Sequence, residues 1–127
     1  MVEKKTVLAV DDDPDVIEFV KSALSKTYCV VAGFSVEECL GLVERTKPDV
    51  ILLDVIMAHL GDGLDCLRSL KQNPATRGIP VIMMTSVSEV YDYRTQIEAS
   101  FFPHDRWLDK PVRADVLLDT IREVLGN

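Results

Sequence analysis

The chain has 127 residues, which is enough for one domain with a buried core and too few for two. Its 47% hydrophobic and 28% charged residues are typical of a globular protein, and its net charge of -7 argues against a nucleic-acid-binding surface, which needs clustered lysine and arginine. No apolar run is long enough to span a membrane and no signal peptide begins the chain, so we expect a cytoplasmic protein without membrane association.

The first predicted strand, residues 6–10, is rich in apolar and β-branched side chains and is followed by three aspartates. Asp13 is placed to cap a helix that Pro14 opens at its favoured first position. Residues at helical spacing predict the apolar face of this helix: Val16, Val20 and Leu24.

A second strand is predicted at residues 29–34. Ser35 then caps the next helix, and Glu38 stands three residues later, as a capping box requires. We expect the apolar stripe of that helix to consist of Val36, Leu40 and Val43.

The third strand, residues 50–53, follows a Lys47-Pro48 turn signal and is continuously apolar, which is typical of a strand buried on both faces of a parallel sheet. Asp54 closes this strand. A turn-rich loop follows, and a third helix, marked by leucines, ends near Asn73. Those leucines are Leu64, Leu67 and Leu70.

The last third of the chain repeats the alternation. Residues 79–85 predict an apolar strand, and residues 106–108 a short one. A weaker helical pattern lies between them, and Lys110-Pro111 precedes a final helix. The two helical patterns consist of Val90, Tyr93 and Ile97, and of Leu117, Ile121 and Leu125. Five strand-helix units with short connections predict one α/β domain over residues 1–127, with a parallel sheet covered on both faces.

In such a sheet the carboxyl ends of all strands meet at one edge. The polar residues at those ends should therefore converge: Asp11, Asp12, Asp54, Thr85 and, after the fifth strand, Lys110. Three carboxylates and one lysine leave two negative charges, so we expect a divalent cation. Oxygen ligands favour Mg²⁺ over Zn²⁺.

A carboxylate can act as the nucleophile in phosphoryl transfer, which depends mainly on positioning and charge neutralisation. We interpret Asp54 as a phosphoryl acceptor and Asp11 and Asp12 as metal anchors. Lys110 would supply the counter-charge and Thr85 a hydroxyl donor.

The chain resembles the response-regulator receiver domains of two-component signalling. It has their motifs in the same order: the acidic pair, the acceptor aspartate, the hydroxyl residue and Lys110-Pro111. The resemblance covers nearly the whole chain. It implies a flavodoxin-like three-layer sandwich with strand order 2-1-3-4-5, and a metal site of Asp11, Asp12, Asp54 and the Ile56 carbonyl. It also implies a non-enzymatic signalling module, phosphorylated by a sensor histidine kinase or phosphotransfer protein and acting on a downstream protein that the sequence does not identify.

In the family, an aromatic residue three positions before the lysine swings behind the threonine hydroxyl on phosphorylation; here that residue is Trp107. The chain departs from the family in two places. Ala58 replaces the usual proline in a loop one residue longer than usual, and residues 98–106 replace the usual Gly-Ala-Asp-x segment before the aromatic. Ile56 and Val87 cannot orient a water, so we expect slow self-dephosphorylation.

Two other readings remain open. Residues 7–13 also match the Asp-x-Asp pattern of haloacid-dehalogenase-type phosphatases, with Asp11 as nucleophile and Asp13 as acid/base. The second reading is a degenerate receiver, which binds partners without being phosphorylated. Finally, Cys29, Cys39 and Cys66 show no metal-ligand spacing, and we expect all three to be core thiols.

Overall fold

The computed structural model describes residues 4–54, 62–85 and 94–126. Strands and helices alternate along these residues, as the sequence predicts. The strands are β1 (Thr6–Val10), β2 (Cys29–Gly33), β3 (Val50–Asp54), β4 (Val81–Thr85) and β5 (Arg106–Asp109). The helices are α1 (Pro14–Leu24), α2 (Val36–Thr46), α3 (Asp62–Gln72), α4 (Arg94–Ala99) and α5 (Ala114–Leu125).

All five strands run parallel in one sheet, in the order β2-β1-β3-β4-β5. Helices α2, α3 and α4 pack on one face of the sheet, and α1 and α5 pack on the other. Every residue of β3 and β4 is buried, because helices cover both faces of these inner strands. The predicted fold class and strand order are therefore confirmed.

Two helix starts are built as the sequence predicts. Asp13 Oδ1 accepts a hydrogen bond from the backbone N–H of Asp15 at 2.9 Å. Ser35 Oγ accepts from the N–H of Glu38 at 3.2 Å. The Glu38 carboxylate reaches back to the N–H of Phe34 at 2.8 Å, one residue before the cap. These local bonds fix the directions in which α1 and α2 leave the sheet edge.

Two predictions about individual side chains are wrong. Leu40 is 39% exposed, and Cys39 takes the inward position on α2, one turn before the buried Val43. Cys29 is exposed because it begins β2, an edge strand that pairs only with β1. Cys39 and Cys66 are fully buried, as expected for core thiols.

Val90 and Tyr93 lie outside the described residues, whereas Ile97 of the same predicted helix is buried in α4. None of the helices in the described part of the chain has the length and apolar character of a membrane span.

A buried ion pair that the sequence did not predict joins α3 to the turn before β5. Lys71 Nζ lies 2.9 Å from Asp105 Oδ1, and both side chains are at most 5% exposed. Lys71 also donates to the carbonyl oxygens of Arg77 and Ile79. Asp105 accepts from two backbone N–H groups, so both charges are surrounded by hydrogen-bond partners. Asp105 stands two residues before Trp107, so this segment keeps the aspartate of the receiver pattern from which it otherwise departs.

Candidate functional site

The candidate site lies at the carboxyl edge of the sheet, where β1 and β3 run side by side. The register pairs Val10 with Leu53, so the next residues, Asp11 and Asp54, are neighbours across the two strands. Asp11, Asp12 and Asp54 each offer a carboxylate oxygen, and these three oxygens all lie within 4.8 Å of one another. Asp11 and Asp54 are buried at 1% and 5% exposure, whereas Asp12 faces solvent. The predicted convergence of the three acids is therefore present.

Backbone hydrogen bonds fix the position of Asp11. Its N–H donates to the carbonyl oxygen of Gly33 at the end of β2. Its Oδ1 accepts from the N–H of Asp13 at 3.0 Å. Asp13 itself is used as the cap of α1, so it is Asp11 and Asp12 that complete the acidic cluster with Asp54.

Lys110 reaches this cluster from the loop after β5. Its Nζ lies 2.9 Å from Asp11 Oδ2 and 3.5 Å from Asp54 Oδ1. Burial by itself would lower the pKa of Lys110, but the hydrogen bond to Asp11 and the charges of Asp54 and Asp11 outweigh burial and raise the pKa. The ammonium is therefore held in its charged form between two buried carboxylates.

Thr85 ends β4, next to β3, and is only 1% exposed. The residues that the structure describes supply no hydrogen-bond partner for its hydroxyl oxygen, although that oxygen is buried. A buried hydroxyl without a partner costs on the order of 1–3 kcal/mol. Such a group is suited to hydrogen-bond an oxygen atom of a bound ligand at this edge of the sheet.

Trp107 lies on β5, opposite Met83 of β4 in the strand register. Its indole packs partly buried against the core beneath α2, α3 and α4. The indole Nε1 donates to Asp109 Oδ1 at 2.7 Å. Asp109 was not among the predicted site residues, although side chains two residues apart on a strand point to the same face.

The donor set fits a hard divalent cation. The three carboxylates and Lys110 leave two uncompensated negative charges, and all the ligand atoms are oxygens. Mg²⁺ binds through a few carboxylates and keeps several waters, so a partly exposed cluster of this kind suits it. Ile56, expected to add a backbone carbonyl, lies outside the described residues, as do Ala58 and Val87.

Comparison with known proteins agrees with the geometry. Residues 7–122 match the family model of the response regulator receiver domain. The chain is 34% identical to the response regulator MprA of Mycobacterium leprae over 94% of its own length and 50% of that protein. It is 31% identical to a protein of Vibrio cholerae named a probable cyclic di-GMP phosphodiesterase, over 96% of this chain and 27% of that protein. The chain thus spans half or less of the length of these two relatives.

Solved structures give the same result. The chemotaxis response regulator CheY4 of Vibrio cholerae is 26% identical, with a TM-score of 0.84 over 97% of this chain and 100% of that one. The signal receiver domain of a signal transduction histidine kinase from Syntrophus aciditrophicus is 31% identical, with a TM-score of 0.84 over 96% of this chain and 90% of that one.

Proposed function

Because the chain belongs to the response regulator receiver domain family, we propose that it is a phosphoacceptor module of two-component signalling in which Asp54 receives the phosphoryl group. The observation that carries the proposal is the setting of Asp54. Its carboxylate is buried at the sheet edge, 3.5 Å from the ammonium of Lys110. The neighbouring strand β4 ends in Thr85, whose hydroxyl is buried. One nucleophile, one cation and one hydrogen-bond donor are the parts that phosphoryl transfer to a carboxylate requires.

In the proposed reaction a carboxylate oxygen of Asp54 forms a bond to phosphorus as the bond between phosphorus and the donor atom breaks. The donor is a phosphohistidine of a histidine kinase or phosphotransfer protein, and because its other ring nitrogen carries a proton, the imidazole leaves neutral. Lys110 offsets the charge that accumulates on the phosphoryl oxygens, and Thr85 donates a hydrogen bond to one of them. Asp11 and Asp12 would hold the cation, which when bound neutralises the incoming phosphoryl group.

The phosphatase alternative has no support from the site. Asp13, its acid/base candidate, already accepts the hydrogen bond that caps α1. Asp11, its nucleophile candidate, is paired with Lys110 at 2.9 Å. We propose that the chain is one receiver domain without an enzymatic activity of its own, acting in the cytoplasm by binding a downstream protein. The two relatives described above are about twice as long as this chain or longer, so under this proposal the downstream partner is either a separate protein or a further domain of the same protein.

The proposal is tested by incubating the protein with Mg²⁺ and acetyl phosphate and mapping the phosphoryl group by mass spectrometry. We expect one phosphoryl group on Asp54, which is lost when Mg²⁺ is chelated and in the Asp54→Asn variant. Asp119→Asn, a change of an exposed carboxylate on α5, is the matched control and should be modified like the wild type. Modification at Asp11 with release of phosphate would favour the phosphatase reading. An unmodified chain would favour a degenerate receiver.

A further inference from the structure

Away from the acidic edge, two thiols from different helices are in contact. Cys66 of α3 donates a hydrogen bond to Cys39 of α2, with 3.4 Å between the two sulfur atoms. Both side chains are fully buried, and neither is in a disulfide. They lie in the core layer between the sheet and these two helices, 27 residues apart in the chain.

We propose that Cys39 and Cys66 form a redox-active dithiol that closes to an intramolecular disulfide joining α2 to α3. A disulfide requires the sulfur atoms to come to about 2.05 Å, so they must approach by about 1.4 Å from their present separation. At a separation of 3.4 Å no atom lies between the two sulfur atoms, so closure requires only that the two side chains move toward each other. The proposal is independent of phosphorylation at Asp54.

The contact also makes the two sulfurs chemically unequal. The hydrogen bond from Cys66 lowers the pKa of the Cys39 thiol, against the opposing effect of burial. The same bond, together with burial, raises the pKa of Cys66. Because the thiolate is the reactive form, Cys39 is the sulfur that attacks first.

We propose that a small oxidant reaches the thiols from the surface between the two helices. A cleft of about 800 Å³ between α2 and α3 is lined by Val43 and Leu70, which lie one helical turn beyond Cys39 and Cys66. Only two residues of α2 are buried, Cys39 at 0% and Val43 at 3% exposure, so few buried contacts oppose a local outward movement of this helix. A hydroperoxide is small enough to use this route.

With hydrogen peroxide as oxidant, the sulfur of Cys39 attacks one oxygen and the O–O bond breaks, which gives a sulfenic acid and one water. The sulfur of Cys66 then attacks the sulfenic sulfur, the S–O bond breaks and a second water leaves. The two thiols lose two electrons and two protons, and the peroxide is reduced to two waters.

The test uses the full chain with the exposed Cys29 changed to serine, so that only the two buried thiols remain. After treatment with hydrogen peroxide under native conditions, we expect a mass lower by two hydrogens. A crosslinked peptide pair containing Cys39 and Cys66 should be found, and dithiothreitol should restore the starting mass. The crosslink lowers the conformational entropy of the unfolded chain. The urea midpoint of the oxidised protein should therefore rise by about 1 to 2 M.

Cys39→Ala and Cys66→Ala, each in the Cys29→Ser background, are the matched controls and should show neither the crosslink nor the shift in midpoint. The wild-type chain is mapped in the same way and should form the same crosslink. This measurement does not depend on whether the variants fold correctly. Two thiols that stay free after prolonged oxidation would overturn the proposal. A gain of one or more oxygens on a single cysteine, or a disulfide between two chains, would overturn it as well.

Discussion

Lys71 and Asp105 form an ion pair of 2.9 Å whose two side chains are 5% and 0% exposed, so it is enclosed by the protein. It ties α3 to the turn before β5, and through the N–H of Val81 it also holds the start of β4. The pair lies outside the acidic cluster. We infer that it fixes the position of α3 relative to β4 and β5.

We predict that Asp105→Ala destabilises the protein by about 3–5 kcal/mol, because it leaves a buried ammonium without its counter-charge. The backbone N–H groups of Val81 and Phe102 would also lose their acceptor. Urea denaturation followed by circular dichroism measures the change. Asp115→Ala, which breaks an exposed pair with Arg113, is the control and should have a much smaller effect. Equal effects of the two variants would contradict the assigned role of the buried pair.

Thr85 should show opposite effects on stability and on phosphorylation. Thr85→Val keeps the side-chain shape and removes a buried hydroxyl that has no partner among the described residues, so we expect a gain of about 1 kcal/mol in the free energy of unfolding. The same variant should accept phosphate from acetyl phosphate more slowly, since a donor to the phosphoryl oxygens is gone. Thr85→Ser keeps the hydroxyl and is the control. A Val variant that is phosphorylated at the wild-type rate would refute the role of the hydroxyl.

Mg²⁺ should stabilise the protein through the acidic cluster. With a dissociation constant near 1 mM, 10 mM Mg²⁺ would add about 1.4 kcal/mol to the free energy of unfolding. We expect Asp12→Asn to lose most of this gain, because Asp12 contributes one of the three clustered carboxylates. Thermal or urea unfolding with and without the ion measures it, and Asp119→Asn is the control. If Asp12→Asn responds to Mg²⁺ like the wild type, the cluster is not the binding site.

Trp107 is the only tryptophan, so its fluorescence reports on β5 alone. Asp109→Ala removes the acceptor of the indole N–H, and we expect a change in emission that Asp109→Asn, which keeps an acceptor oxygen, shows to a smaller extent. We also expect Mg²⁺ in the range up to tens of millimolar to alter this emission in the wild type. A spectrum unchanged by both Asp109 variants would mean that this hydrogen bond does not hold the indole in solution.

Lys110→Ala should slow phosphorylation of Asp54 by about a hundredfold, since it removes an ammonium that lies 3.5 Å from the acceptor carboxylate. Lys110→Arg keeps the charge and should retain more of the rate. The rates are measured with acetyl phosphate at saturating Mg²⁺. A lower affinity of the variant for Mg²⁺ then does not contribute to the difference in rate. Equal rates for Lys110→Ala and wild type would remove Lys110 from the proposed mechanism.

The strands, the helix caps and the convergence of Asp11, Asp12 and Asp54 could be predicted from the amino-acid sequence. These follow from patterns within single segments and from one rule, that parallel strands end at the same edge of a sheet. The continuous apolar run of β3 required burial on both faces, and Asp54 then had to stand at its end.

The pairing of side chains from distant segments depends instead on how the helices pack against the sheet. Cys39 meets Cys66, and Lys71 meets Asp105, because of how α2 and α3 are rotated against the sheet. The sequence predicts both Leu40 and Cys39 in the core, and the rotation of α2 buries Cys39 but leaves Leu40 39% exposed. A small rotation moves a helical side chain from the core to the surface, and local periodicity does not fix that rotation. It is settled by packing between elements that are far apart in the chain.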